Sequence, residues 1–150
     1  NMDMVGRGNA WDVTGKSKDG AVLRGSPNYL QLVGSRRLSS ELGNIVEQVN
    51  TSGKYGFVFD YGMDANGHPM NIYCRSDHYE YARYGIPITF FTTGGHSDYH
   101  QVTDEPQYID YDHMARISRL VEDVAMHVAN LDHRVVVDQP KPDPRGGCRQ

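Results

Sequence analysis

The chain has 150 residues, a length that fits one domain with a modest core. Its formal net charge is −4, with 15 Lys and Arg against 19 Asp and Glu, so it lacks the basic footprint of a nucleic-acid binder. No Lys/Arg cluster marks a membrane surface, and ten tyrosines against four phenylalanines and one tryptophan point to aromatic surfaces with polar handles.

Met2 to Val5 reads as the end of a buried strand, with Gly6-Arg7-Gly8 as its breaker. A chain that opens on a strand, without a signal peptide, predicts that a further part of the domain precedes it. Residues 8–27 are polar and glycine-rich, which predicts a long surface connection. Tyr29 to Val33 alternates as a strand does. Ser39 or Ser40 caps a helix to about Val49, with Leu42, Ile45, Val46 and Val49 on one face. Asn50-Thr51-Ser52 is a glycosylation triplet, a weak signal on its own.

After a loop at Thr51 to Lys54, Phe57-Val58-Phe59 is a short strand, and Tyr61 to Pro69 another loop. Ser76 is expected to cap a short helix through Tyr84, closed by Gly85. Ile86 to Phe91 predicts a strand buried on both faces. Thr92 to Gln107 is then a loop at that strand's carboxyl end. Asp110 or Asp112 caps the last helix, running to about Leu131 with Met114, Ile117, Leu120, Val121, Val124 and Val128 in its stripe. From Asp138 onward, three prolines and Gly146-Gly147 predict an extended or disordered tail. The expected division is therefore a domain over 1–136 and a tail over 137–150. Cys74 and Cys148 have no metal-type spacing, and whether they pair is left open.

The alternation of strands and helices predicts an α/β fold, whose functional loops leave the carboxyl ends of strands. Two loops of that kind carry metal-capable side chains. Loop 92–107 holds His96, Asp98, Tyr99, His100 and Asp104, and a metal site or a polar surface loop accounts equally well for them. Asp3, between Met2 and Met4, could bind a metal, but taken alone it better suits an ion pair with Arg7 or the cap of a turn. Ser76-Asp77-His78 looks like a hydrolase constellation, but adjacent residues at a helix start point apart, so capping is the better reading.

Three segments in order, NMDMVGR, RSDHYEYARYGIPITFFTTG and HSDYHQVTDEPQYIDYDHM, resemble the second half of the zinc-dependent aminopeptidases of clan MH. That family includes leucyl-type aminopeptidases and relatives of glutamate carboxypeptidase. The resemblance runs from Asn1 to about Leu131. It implies a partial three-layer sandwich, with a mixed, mostly parallel sheet flanked by helices. It implies that Asp3 and His100 are ligands of two different zinc ions. Tyr73, three residues before Ser76, is a loose match to a tyrosine that stabilises the oxyanion in some members. His96, Asp98 and Asp104 become outer-shell residues, with Asp98 the preferred orienter of a ligating histidine. Gly94 and Gly95 let that loop turn tightly.

The family's first histidine ligand, its bridging aspartate and its Glu-Glu pair have no counterpart in this sequence. One ligand per ion does not retain zinc where three are usual, so this chain alone is expected to be inactive and to hold zinc weakly or not at all. The implied partners are a peptide substrate, the missing N-terminal half and a second copy through an exposed sheet edge. Nucleic acid and membrane are not among them. The implied location is extracellular or periplasmic. A non-catalytic, receptor-like relative is the alternative, and retention of both Asp3 and His100 speaks against it.

Overall fold

A computed structural model describes residues 1–7 and 26–150. The predicted surface connection at 8–27 falls almost wholly outside the described residues. Three strands form the sheet: β1 (Tyr29–Val33), β2 (Val58–Asp60) and β3 (Phe90–Thr92), in the order β2-β1-β3. β1 pairs with β2 in parallel and with β3 antiparallel, so the sheet is mixed. α1 (Ser40–Ser52) and α3 (Tyr111–Ala129) pack on each other, while α2 (Tyr79–Ala82) is a single turn.

All five β1 residues are buried, and their alternation serves both faces of the sheet. Leu30 and Leu32 enter one apolar cluster with Phe59, Phe91, Ile45, Val46, Val49, Ile117, Leu120 and Val124. Val33 points the other way, into a smaller cluster with Leu38, Tyr73, Ala82 and Phe90. The long helices cover the first face. Short turns and the C-terminal segment cover the second, giving three layers with the sheet in the middle.

α1 and α3 start where capping chemistry predicts. Ser39 Oγ accepts from Leu42 N at 3.1 Å, and Asp110 Oδ1 accepts from His113 N at 3.0 Å. The apolar faces of both helices are the predicted stripes, with His113 as an unforeseen buried member.

Several expectations need correction. Met2 to Val5 is no strand; it meets β3 through one parallel bridge, Met2 to Phe91. β2 lies one residue later than expected, because Asp60 joins the ladder opposite Gln31. β3 begins at Phe90 instead of Ile86; Pro87 has no N–H to give a ladder, and Ile86 is half exposed. Ser76 does not cap α2: the N-cap is His78, whose side chain makes no capping bond, and the Ser76 hydroxyl is used elsewhere. In the weak glycosylation triplet, the Asn50 amide bonds both backbone groups of Phe57, at 2.8 and 3.0 Å.

The tail after Asp138 has no regular structure, yet it is pinned. Asp138 and Gln139 donate their backbone N–H groups to Leu38 O. Arg83 donates to Pro144 O through Nε at 3.1 Å and Nη2 at 2.5 Å. Cys148 is bonded to Cys74, with their Cα atoms 5.8 Å apart.

Candidate metal-binding cleft

Residues 1–7 run along the free edge of β3. Phe91 N donates to Asn1 O at 3.0 Å, Asp3 N to Phe91 O at 3.2 Å and Thr93 N to Met4 O at 2.9 Å. Asn1 N also reaches Thr89 O at 2.9 Å. This pairing brings Asp3 to the carboxyl end of β3, where loop 92–107 begins. Arg7 locks the junction: it donates to Asp98 Oδ2 at 3.0 Å and Asp104 Oδ1 at 3.4 Å. His96 Nε2 lies 3.8 Å from the other Asp104 oxygen. Three predicted outer-shell residues are thus gathered around one guanidinium. Hydrogen bonds from Thr103 and Arg7 hold the Asp98 carboxyl below its ordinary pKa.

Asp3 Oδ2 accepts from Ser76 Oγ at 2.9 Å, and Ser76 Oγ in turn accepts from Asn1 Nδ2 at 2.9 Å. The same Asn1 amide faces His78 Nδ1 at 3.4 Å. With Nδ1 as acceptor, His78 Nε2–H donates to Tyr73 O at 2.7 Å. His78 is 2% exposed and stacks on Phe90 with ring centroids 4.6 Å apart. Burial lowers its pKa, keeping the imidazole neutral in this tautomer. Ser76 and His78 therefore do not form a nucleophile–base pair. They orient Asp3 and leave its second oxygen, Oδ1, without a hydrogen bond among the described residues.

Asp3 borders a cavity of about 130 Å³ whose wall is mostly apolar: Met4, Met63, Met70, Ile72 and Phe90, with Arg75, Ser76 and Tyr99 at the polar side. Gln31 and Gly94 also line it. Beneath Gln31, a buried chain runs from its amide to the Tyr29 hydroxyl and on to Asp60 Oδ2, the last step 3.1 Å. Gly94 has φ +92°, and a Cβ there would meet the Gln31 amide at 3.4 Å, so the loop turn needs glycine. Gly95 faces open space.

His100 is exposed, with φ +58°, and its ring stacks on Tyr99 at 3.9 Å. It makes no hydrogen bond among the described residues; Tyr99, on which it stacks, lines the cavity, and His100 itself does not. Asp98 does not reach it; Thr103 and Arg7 take that carboxylate instead. Tyr73 stands apart from this cleft. It is 6% exposed, in the smaller apolar cluster, with Arg37 over its ring at 4.6 Å and burial pushing its hydroxyl up to about 12. Its neighbour Ile72 faces the cavity instead.

Asp3 and His100 fit zinc in kind, as an oxygen and a nitrogen donor. They do not fit it in number: no group of three or more His, Cys, Asp or Glu is set to hold a metal among the described residues. Sequence reasoning singled out Asp3, His100 and the loop carboxylates, and the structure gathers Asp98, Asp104 and His96 around Arg7. It missed the Ser76–Asn1 support of Asp3 and the methionine wall, because both join positions distant in sequence.

The mixed α/β sheet, with an aspartate on its edge and a histidine-bearing loop at the same end, is consistent with a partial domain of the zinc-dependent peptidases of clan MH, the class that the family match establishes. The model of Peptidase family M28 matches residues 1–125, and the chain belongs to that family. The match fits part of a catalytic domain of a metallopeptidase, a zinc-dependent hydrolase. No curated protein and no solved structure matches the chain.

Proposed function

We propose that the polypeptide carrying this chain is an aminopeptidase that removes N-terminal residues with apolar side chains. Asp3 and His100 each contribute one ligand to a two-zinc centre. The other ligands and the glutamate base come from residues outside this sequence, so the 150 residues alone are inactive and retain no stoichiometric zinc. One observation carries the reading: Asp3, with an open carboxylate oxygen, borders the methionine-lined cavity. A cavity of roughly 150 Å³ takes a benzene-sized group, so this one suits a single side chain.

Bound zinc would polarise the scissile carbonyl and acidify water. The chain's own residues prepare for that. Ser76 fixes the Asp3 carboxylate, and Arg7 ties the loop of His100 to the strand edge through Asp98 and Asp104. The apolar wall excludes water from the substrate side chain. The Cys74–Cys148 bond supports an extracellular or periplasmic location, where disulfides persist. Among the described residues no helix is long and apolar enough to cross a membrane.

Among the described residues no three donors converge, which favours a second reading, a binding protein that has lost catalysis. One experiment separates the two. The full polypeptide, purified with zinc, is assayed on leucyl-anilide and on its N-acetylated form, with metal counted after dialysis. Hydrolysis of the free-amine substrate alone, with two zinc ions retained, is the expected result. A full polypeptide that binds no zinc and turns over neither substrate overturns the proposal.

A further inference from the structure

The apolar wall of the cavity is built from a segment with little structure of its own. Between β2 and α2 the chain makes only two three-residue 3-10 turns, Gly62–Asp64 and Ile72–Cys74. Met63, Met70 and Ile72 nevertheless present their side chains to one cavity. Asn71, between two of them, holds a left-handed backbone at φ +51°, a conformation that costs a non-glycine residue and persists only when its surroundings impose it.

Much of what imposes it comes from Gln150. Its side-chain Nε2 donates to Met63 O and, at 3.2 Å, to Ala65 O. Its Oε1 accepts from Tyr73 N at 2.9 Å. Its backbone N donates to Asn71 Oδ1 at 3.2 Å, and its carbonyl accepts from Gly67 N at 2.7 Å. One residue thus closes hydrogen bonds at five points of residues 63–73. Two residues earlier, Cys148 is bonded to Cys74, the last residue of the second turn. Arg83 holds the segment again at Pro144. Arg37 anchors the opposite side of the wall at Asp64, with Nε 2.5 Å from Oδ1.

We infer that Gln150, kept in register by the Cys74–Cys148 bond, is a positioning residue for the substrate pocket: it holds Met63, Met70 and Ile72 in place to receive an apolar side chain. This rests on the proposal that the cavity takes the substrate's N-terminal side chain. The hydrogen-bond clamp is a separate claim and can fail separately. The strap touches neither Asp3 nor His100, so its effect falls on binding of large apolar residues and spares the chemistry.

The test uses the full polypeptide, as wild type, Gln150→Ala and Cys148→Ser. Substitution is preferred to a dithiol, which would also strip zinc. Hydrogen exchange of the 63–73 backbone is read alongside kcat and KM for leucyl- and alanyl-anilides. The expected result is faster exchange at Gly67 and Tyr73 in both variants. KM for the leucyl substrate rises about 5- to 10-fold, while kcat and the alanyl kinetics stay within about twofold. Unchanged exchange in Gln150→Ala overturns the clamp. Faster exchange with an unmoved leucyl KM overturns the link to the pocket, and equal losses of kcat on both substrates reduce the strap to a purely structural part. A wild type inactive on every free-amine substrate sinks the aminopeptidase reading, whereas the exchange data still decide the clamp.

Discussion

The two faces of the sheet are held by different physics. The face under α1 and α3 is an aliphatic and aromatic core, in which Leu30, Leu32, Val46, Ile117 and Leu120 are fully buried. Its stability comes from area removed from water, and any well-packed apolar set could supply it. The cleft face has a smaller core and depends on specific polar contacts across the sequence: Ser76 to Asp3, Arg7 to Asp98 and Asp104, Gln150 to residues 63–73, and one disulfide. The first face makes a stable platform, and the second places donors on it. The comparison teaches that stability and function are separable here, and substitutions should show it.

The largest effect on function is expected from His100→Ala in the full polypeptide. Loss of this proposed zinc ligand should cost more than the roughly 10- to 100-fold typical of outer-shell partners. The melting temperature should stay near wild type, because the exposed imidazole stacks only on the exposed Tyr99 and enters neither apolar cluster. A variant that melts early instead would move His100 to the structural side. Leu120→Ala is the converse: about 2–5 kcal/mol of stability lost by urea or thermal unfolding, with zinc stoichiometry kept in the folded fraction. Ser76→Ala sits between the two. Asp3 loses its orienting hydroxyl, and zinc affinity or turnover should fall about 10- to 100-fold with little change in unfolding. Wild-type zinc affinity in that variant would show that Asp3 needs no support.

The smallest effect is on pH dependence. His78 on the cleft face and His113 on α3 are buried, and burial lowers both pKa values below 6.5. The folded chain keeps these rings neutral while the unfolded chain takes up protons below about pH 6.5, so stability should fall as pH drops through that value. Exposed His133, raised by Asp132 and Glu41, works in the opposite sense, since its ion pairs are lost as pH rises. Melting curves from pH 7.5 to 5.5 should therefore slope downward toward acid, and His113→Leu should flatten the slope. An unchanged slope would remove His113 from this account.

The platform was legible in the sequence because its signals are local. Ser39 and Asp110 cap helices whose stripes recur every three or four residues, and β1 alternates over five. The short elements were misread where local pattern competes with distant partners. Ile86 to Thr89 looks like strand, but Pro87 cannot pair, and Thr89 O meets Asn1 instead. Ser76 looks like a cap, and its hydroxyl goes to a carboxylate 73 residues away. Tyr73 looked like a site residue by its position before Ser76, and the structure places it in the core under Arg37.

Composition, periodicity and capping by themselves determined that this chain is α/β, where its two long helices lie, and that its metal-capable residues cluster at the chain start and after the last strand. Three motifs in order determined the family. Only the tertiary structure decided that Cys74 pairs with Cys148, that Ser76 serves Asp3, and that the tail reaches across to brace a methionine wall. The reason is range: helix and strand signals act over a few residues, whereas these contacts join residues 73 to 87 positions apart, which no local pattern records.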